Sequence, residues 1–165
     1  MTPLGHINDG DYRALAEFRY QIRRFIRFSE RAARAAGLEP QQHQLLLAVK
    51  GLPDGSRATI GEVAERLQIQ HHSTVELVDR LEKNGYVLRK RAGDDRREVL
   101  LQLTTKGDKV LRELSVSHQD ELRTAGPALV AALKKMMGNV RTAENRKHPP
   151  SKKAASRTNR RARKY

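Results

Sequence analysis

The chain has 165 residues, enough for one domain with a real hydrophobic core and too few for two large ones. Its 33 lysine and arginine residues outnumber 19 acidic residues, and the formal net charge of +14 favours polyanionic partners, nucleic acid before an anionic membrane. The absence of cysteine excludes disulfides, thiolate zinc sites and thiol-based redox sensing. No apolar run approaches the roughly 18 residues of a membrane span and no secretion signal opens the chain, so we expect a soluble, cytoplasmic protein without a membrane partner.

The N-terminal part of the sequence predicts two helices. Over residues 11–36, apolar or small side chains recur at steps of three or four, which places one stripe along a long helix that Gly37 ends. The opposite face of this helix carries Arg19, Arg23, Arg27, Arg31 and Arg34. A solvated charged face is the simpler interpretation of these arginines, and a phosphate contact by one or two of them is the alternative. A second helix begins at Glu39-Pro40, since proline suits the first helical position, and ends before a turn at residues 52–55.

The centre of the chain, about residues 59–85, predicts a helix-turn-helix. Thr59 is suited to cap a short helix that runs to about Leu67, because Glu62 follows at the capping-box spacing. After a turn at residues 68–70, another amphipathic helix ends at Asn84-Gly85, where glycine can adopt the left-handed conformation. Two short helices joined by a tight turn form the helix-turn-helix unit.

Residues 86–103 predict a β-hairpin, or wing, directly after this unit. Two short apolar runs flank a charged segment that contains Gly93-Asp94. Thr104 and Thr105 can then cap a long helix, and Pro127 is expected to begin a last one. The predicted fold class is mainly α with a small β-wing (α+β), a winged helix-turn-helix domain over residues 1–137 with terminal helices at about 11–36 and 105–137.

The C-terminal segment, residues 138–165, differs in composition from the rest of the chain. It holds ten lysine and arginine residues against one acid, Glu144, which gives a net charge of +9. With Pro149-Pro150 and almost no apolar side chains it cannot bury enough surface to fold alone. We therefore expect a disordered basic tail.

Four segments resemble the MarR family of transcriptional regulators, and they occur in the family's order: residues 37–43, TIGEVAERL from Thr59, LVDRLEKNGYV from Leu77, and DDRREVLLQLTTKG from Asp94. The most specific part is Asp95-x-Arg97 running into Leu103-Thr104-x-x-Gly107. The resemblance implies a homodimer whose first and last helices interlock, and recognition of a palindromic operator in double-stranded DNA. It also implies repression that a small-molecule effector relieves. We expect a regulator of this kind to be associated with the nucleoid.

The resemblance also implies which side chains meet DNA. The recognition helix is residues 72–84, since a helix fits the major groove, and a cationic wing can reach the adjacent minor groove. The candidate contacts of the helix are Gln70, His71, His72, Ser73, Thr74, Glu76 and Arg80. The candidate contacts of the wing are Arg91, Arg96 and Arg97, with Asp79 and Asp95 as its support. Gln70 and Glu76 depart from the family's usual helix cap and basic residue.

Several of these residues have a second interpretation. Glu76 can accept a hydrogen bond from the cytosine amino group, or it can point at Arg80, its i,i+4 neighbour. Arg97 can enter a narrow minor groove, or pair with Asp95 and only shape the loop. Metal binding by His71 and His72 is disfavoured, because adjacent helical residues diverge and no further ligand lies at a suitable spacing. We therefore predict no metal site and no cofactor.

A general nucleic-acid binder, associated with the nucleoid or with RNA, is the rival function, since charge and tail alone would suffice for it. An aromatic content of 4% argues against recognition of RNA by base stacking. An enzyme is not predicted, because the sequence offers no nucleophile with a base and no phosphate-binding glycine loop. The effector is not encoded in a motif; Tyr20, Arg24 and His43 could line its site, but packing or solvation explains each more simply.

Overall fold

The computed structural model describes residues 7–91 and 99–147, with side chains as far as residue 138. The elements within these ranges are α1 (Asp9–Ala35), α2 (Pro40–Lys50), α3 (Ile60–Leu67), α4 (His71–Lys83), β1 (Val87–Arg91), β2 (Val99–Leu103) and α5 (Thr105–Lys147). None of these helices is long and apolar enough to cross a membrane. The predicted class, mainly helical with a small two-stranded wing, is confirmed.

The contacts of the chain divide it into two units, one formed by Ile22–Pro127 and the other by Met1–Gln21 with Ala128–Tyr165. The first unit contains the helix-turn-helix and the wing. Its core consists of buried aliphatic side chains from every helix of the unit and both strands, among them Ala33, Leu38, Leu45, Leu46, Val63, Leu77, Val78, Leu81, Val87, Leu101, Leu111 and Leu114. Burial of this apolar area is what holds the short helices in place, since helices of 8–13 residues are marginal in isolation.

The wing is an antiparallel pair in which Val87 lies opposite Leu103 and Arg91 lies opposite Val99. On its other side, β2 is bonded to the segment that precedes α3. Thr59 forms a β-bridge with Leu100, and the Leu101 amide donates to the Ala58 carbonyl over 2.8 Å. The strand β2 is therefore hydrogen-bonded on both sides, which fixes the base of the wing against the helix-turn-helix.

The second unit presents apolar side chains to solvent. Ala14 and Ala132 are buried within it, while seven larger side chains are between 40% and 62% exposed, namely Ile7, Tyr12, Leu15, Tyr20, Val130, Leu133 and Met137. The stripe predicted along α1 is thus only partly covered within one chain. Exposed apolar side chains on two helices of one unit are typical of a surface that another protein chain covers.

Two expectations for the C-terminal part are wrong. The last helix does not begin at Pro127, because α5 runs without a break from Thr105 to Lys147 with Pro127 inside it. Residues 138–147, expected in the disordered tail, are helical. Proline costs a helix one amide hydrogen bond and brings its ring against the preceding turn, and α5 continues through Pro127 despite this cost, with the good helix formers Ala128 and Leu129 directly after it. Residues 148–165 lie outside the described residues.

Candidate nucleic-acid interface

The helix-turn-helix is built from local hydrogen bonds that the sequence provides. The Thr59 hydroxyl accepts from the Glu62 amide over 3.2 Å, which confirms the predicted cap of α3. The turn that follows depends on Gln68, which adopts a left-handed conformation with φ of 54° although it is not glycine. Its side-chain amide donates to the Glu65 carbonyl over 2.6 Å, and this bond accompanies the unusual backbone. Helix α4 then begins at His71, one residue before the predicted start.

The side of α4 that is buried in the core limits which of its residues are available for contact with DNA. Leu77, Val78 and Leu81 are buried in the core of the unit. Thr74 is also buried, with none of its surface exposed, and its hydroxyl donates to the Gln70 carbonyl over 3.2 Å. The expectation that Thr74 contacts a base is therefore wrong, because one turn of helix places it on the same side as Leu77 and Val78.

The remaining candidates on α4 do lie toward solvent. Gln70, His71, His72, Glu76 and Arg80 are exposed, and Ser73 is half-buried. They occupy the N-terminal turn and the outer face of α4, where a recognition helix presents its side chains. Among the described residues no group of three or more potential metal ligands occurs, so His71 and His72 have no further ligands beside them there.

Glu76 and Arg80 interact weakly with each other. Arg80 Nη2 lies 3.8 Å from Glu76 Oε2, and Arg80 Nε donates to the Glu76 carbonyl over 3.3 Å. Both side chains are more than 60% exposed. An ion pair of this kind contributes well under about 1 kcal/mol, so it leaves the Glu76 carboxylate free to exchange Arg80 for another partner.

Arg89 of β1 connects the wing to α4 through hydrogen bonds. Its guanidinium donates to Asp79 Oδ1 over 2.5 Å and also to Glu82 Oε2, and its backbone amide donates to Glu82 Oε1 over 3.0 Å. Partial burial by itself would lower the pKa of Arg89, but the hydrogen bonds that it donates to the two carboxylates outweigh burial and raise the pKa, so the group stays charged. Two charged groups of α4 thus orient the strand that leads into the wing.

Asp79 was expected to support the wing, whereas Arg89 and Glu82 were missed. Alternation along β1 would have indicated Arg89, since residues two apart lie on one face and Val87 is buried against α4. Glu82 follows Asp79 by three residues, which places both carboxylates on one side of the helix.

The far end of the recognition helix is held by the start of α5. Thr104 donates from its hydroxyl to the Gly85 carbonyl over 2.7 Å and accepts from the Gly107 amide over 3.1 Å, so it caps α5. Lys106 Nζ donates to the Asn84 carbonyl over 2.8 Å. A Cβ at Gly107 would lie 2.1 Å from the Tyr86 carbonyl oxygen, which only glycine avoids. These contacts explain the Leu103-Thr104-x-x-Gly107 pattern.

Of the three candidate arginines of the wing, Arg91 alone lies within the described residues. Arg91 is exposed at the end of β1, opposite Val99. Asp95, Arg96 and Arg97 lie outside the described residues, so the alternative between a groove contact and an Arg97–Asp95 pair stays open.

The three residues considered for an effector site differ in their surroundings. His43 is 2% exposed and its ring centroid lies 4.9 Å from that of His118, so it belongs to the core. His118 Nδ1 donates to the Leu114 carbonyl over 2.6 Å, and its Nε2 lies 2.8 Å from Ser29 Oγ. Burial first, and the nearby His118 second, lower the pKa of His43 to about 4. Tyr20 and Arg24 are exposed.

Comparison with known proteins agrees with this geometry. The MarR family model matches residues 36–98. An uncharacterized HTH-type transcriptional regulator of Bacillus subtilis, YcgE, is 35% identical over 101 residues, which are 61% of this chain and 64% of that protein. The chain therefore spans less than two thirds of the length of this relative.

Two solved structures share the fold. The transcriptional repressor CouR, bound to a 23-mer DNA duplex, is 28% identical with a TM-score of 0.56 over 74% of this chain and 87% of that chain. A mutant of Escherichia coli MarR complexed with operator DNA is 21% identical with a TM-score of 0.58 over 74% of this chain and 89% of that chain. The order of the motifs, the match of the MarR family model to residues 36–98 and the shared winged helix-turn-helix fold are what this chain has in common with MarR family regulators.

Proposed function

We propose that this chain is a dimeric, sequence-specific transcriptional regulator, which binds duplex DNA with α4 in the major groove and the wing beside it. The observation that carries the proposal is the exposed outer face of α4, held to the wing by Arg89 and to α5 by Thr104. A fixed relation between helix and hairpin is what lets the two read adjacent grooves of one duplex. Support comes from the relatives, which are named as transcriptional regulators, and from CouR and MarR, which were solved with DNA.

Within this site, the exposed side chains divide by chemistry. Gln70 and Ser73 can donate to or accept from base edges, and His71 and His72 at the N-terminus of α4 can meet bases or phosphates. Glu76 is repelled by phosphate but accepts from the cytosine amino group, so it favours C·G pairs where it faces a base. Arg80 and the wing arginines supply attraction to the backbone.

We propose that the second unit forms the dimer. Its exposed apolar side chains include Leu15 on α1 and Leu133 on α5, 41% and 40% exposed. Covering them with a second copy removes apolar surface from water. A two-fold dimer places its recognition helices about 10 base pairs apart, so the operator should be an inverted repeat.

We also propose that a small-molecule effector relieves repression, as the family resemblance implies. An open groove of about 500 Å³ within residues 22–127 is a candidate for its binding. It is lined by Phe28, Glu113, Val116, Ser117, Asp120, Glu121 and Thr124. Tyr20, Arg24 and His43 are not among these residues, so the site differs from the one considered from the sequence.

The test of the function is selection of genomic fragments by the purified full chain, followed by binding to the enriched operator with excess random duplex. A regulator keeps its operator complex under this competition, since specific sites are typically bound at least about 1,000-fold more tightly. His72→Ala should lower operator preference, whereas the matched variant Thr74→Val, at a buried position two residues on, should leave preference unchanged. Loss of the complex in random duplex would instead indicate a general nucleic-acid binder.

A further inference from the structure

An arginine face lies on the part of α1 that belongs to the first unit. It consists of Arg23, Arg27 and Arg31, all exposed. At 100° per residue, steps of four keep the three side chains within about 80° of each other, with about 6 Å of rise between neighbours. No salt bridge within the described residues involves any of them, while the nearby Arg34 lies 3.7 Å from Glu30. The face therefore carries three uncompensated charges.

The orientation of this face is fixed by what lies behind it. Ser29 is buried with its hydroxyl 2.8 Å from His118 Nε2 of α5. The Phe25 and Phe28 rings pack edge-on against the same imidazole at centroid distances of 5.9 and 5.4 Å. The helix cannot rotate without breaking these contacts. The arginine face is thus presented as a rigid row, unlike charges on a flexible segment.

We propose that the arginine face is a second nucleic-acid contact, which binds the phosphate backbone of duplex DNA without reading its sequence. All seven cations of α1 are arginine and none is lysine. Guanidinium groups bind phosphate oxygens in a bidentate manner, and ammonium groups do not. With about 6 Å of rise between neighbouring arginines, the three guanidinium groups are available together to one stretch of the backbone.

Duplex DNA fits this face better than an anionic membrane does. A helix that lies in a membrane surface inserts its apolar side among the lipids. Most of the apolar side of this stretch is occupied, because Phe25, Phe28 and Ser29 pack against His118, and Ile26 is its one exposed large apolar side chain. A single apolar side chain offers little to insert among lipids, whereas the dense phosphates of duplex DNA attract the row of charges. The contact adds affinity to the proposed regulator and leaves its specificity with α4.

The experiment compares the full chain with Arg23→Gln/Arg27→Gln/Arg31→Gln on random duplex at several salt concentrations. Loss of three phosphate contacts per protomer should reduce the slope of log affinity against log salt by about 2.7 for each bound protomer, so between 50 and 200 mM salt the wild type should lose about 40-fold more affinity than the variant for each protomer that contacts the duplex. The ratio of operator to random affinity should not change. Arg→Lys at the same three positions should keep most of the slope, since counterion release follows charge.

The matched control is Lys109→Gln/Arg112→Gln/Arg123→Gln, which removes the same charge from exposed positions of α5 within the first unit. An equal drop of the slope in this control would assign the effect to net charge and overturn the proposal, as would an unchanged slope in the arginine variant. Capture of the wild type by anionic vesicles, lost in the arginine variant while DNA binding stays, would assign the face to membranes. Absence of operator preference in the wild type would refute the proposed regulator and leave the result on random duplex standing.

Discussion

His43 makes the stability of this protein sensitive to acid. Its Nδ1 is buried without a hydrogen-bond partner, and its ring lies against that of His118. The pKa of His43 is lowered from 6.5 to about 4. Between these two pH values the His43 ring is mostly neutral in the folded chain and mostly protonated in the unfolded chain. The contribution of the neutral His43 to the free energy of unfolding is therefore fully present above pH 6.5, and it is lost progressively as the pH falls from 6.5 toward 4.

The size of the effect follows from the two pKa values. One pKa unit corresponds to about 1.4 kcal/mol, and integration of proton binding from pH 7 to pH 5 gives a loss of about 2 kcal/mol from His43 alone. Carboxylates also titrate in this range, so the quantity to measure is a difference between variants. His43→Leu removes the titrating ring and the unpartnered nitrogen while it keeps an apolar side chain in the core.

Urea unfolding of the wild type and of His43→Leu at pH 7 and pH 5, at one protein concentration, measures this difference. The wild type should lose about 2 kcal/mol more than the variant between the two pH values. Histidine ring resonances of the folded wild type should show one imidazole that titrates near pH 4. Equal losses in both proteins, with an ordinary titration of His43 near pH 6.5, would refute the reasoning.

Three further predictions concern the contacts around the recognition helix and the tail. Gly107→Ala places a methyl group against the Tyr86 carbonyl and should cost about 2–3 kcal/mol in thermal unfolding, whereas Gly61→Ala in α3, where a Cβ would meet only an ordinary contact of 3.9 Å with the Thr59 hydroxyl, should stabilise by about 0.5–1 kcal/mol; equal effects would contradict the close approach. Arg89→Gln should weaken operator binding at least tenfold, because the wing loses its tie to α4, and the control Arg123→Gln, which breaks a pair outside the wing, should not. Ending the chain after Lys147 removes seven cations and no acid; operator and random DNA should weaken by similar factors, with the salt slope reduced by about 0.9 per lost contact, and an unaltered slope would exclude any DNA role of the segment.

The sequence alone was sufficient for the resemblance to the MarR family and for the order of the elements as far as the start of α5. Caps and breaks act over three or four residues, so Thr59, Gly85 and Thr104 could be assigned from local spacing, and the structure confirms the bond of Thr59 and the left-handed Gly85. Two short apolar runs on either side of a charged segment likewise located both strands of the wing. Such features depend on neighbours along the chain, which a sequence displays directly.

What needed the tertiary structure was every feature that depends on partners distant in the chain. Thr74 has the right chemistry for a base contact, but the packing of α4 on the core turns it inward. In the sequence, Arg89 is not distinguished from any other cation of a strand. Only the fold places Asp79 and Glu82 of α4 beside it. His43 and His118 are 75 residues apart, and only the fold brings their rings together. Local propensity also misjudged Pro127, since a proline read as the start of a helix lies inside the continuous helix α5.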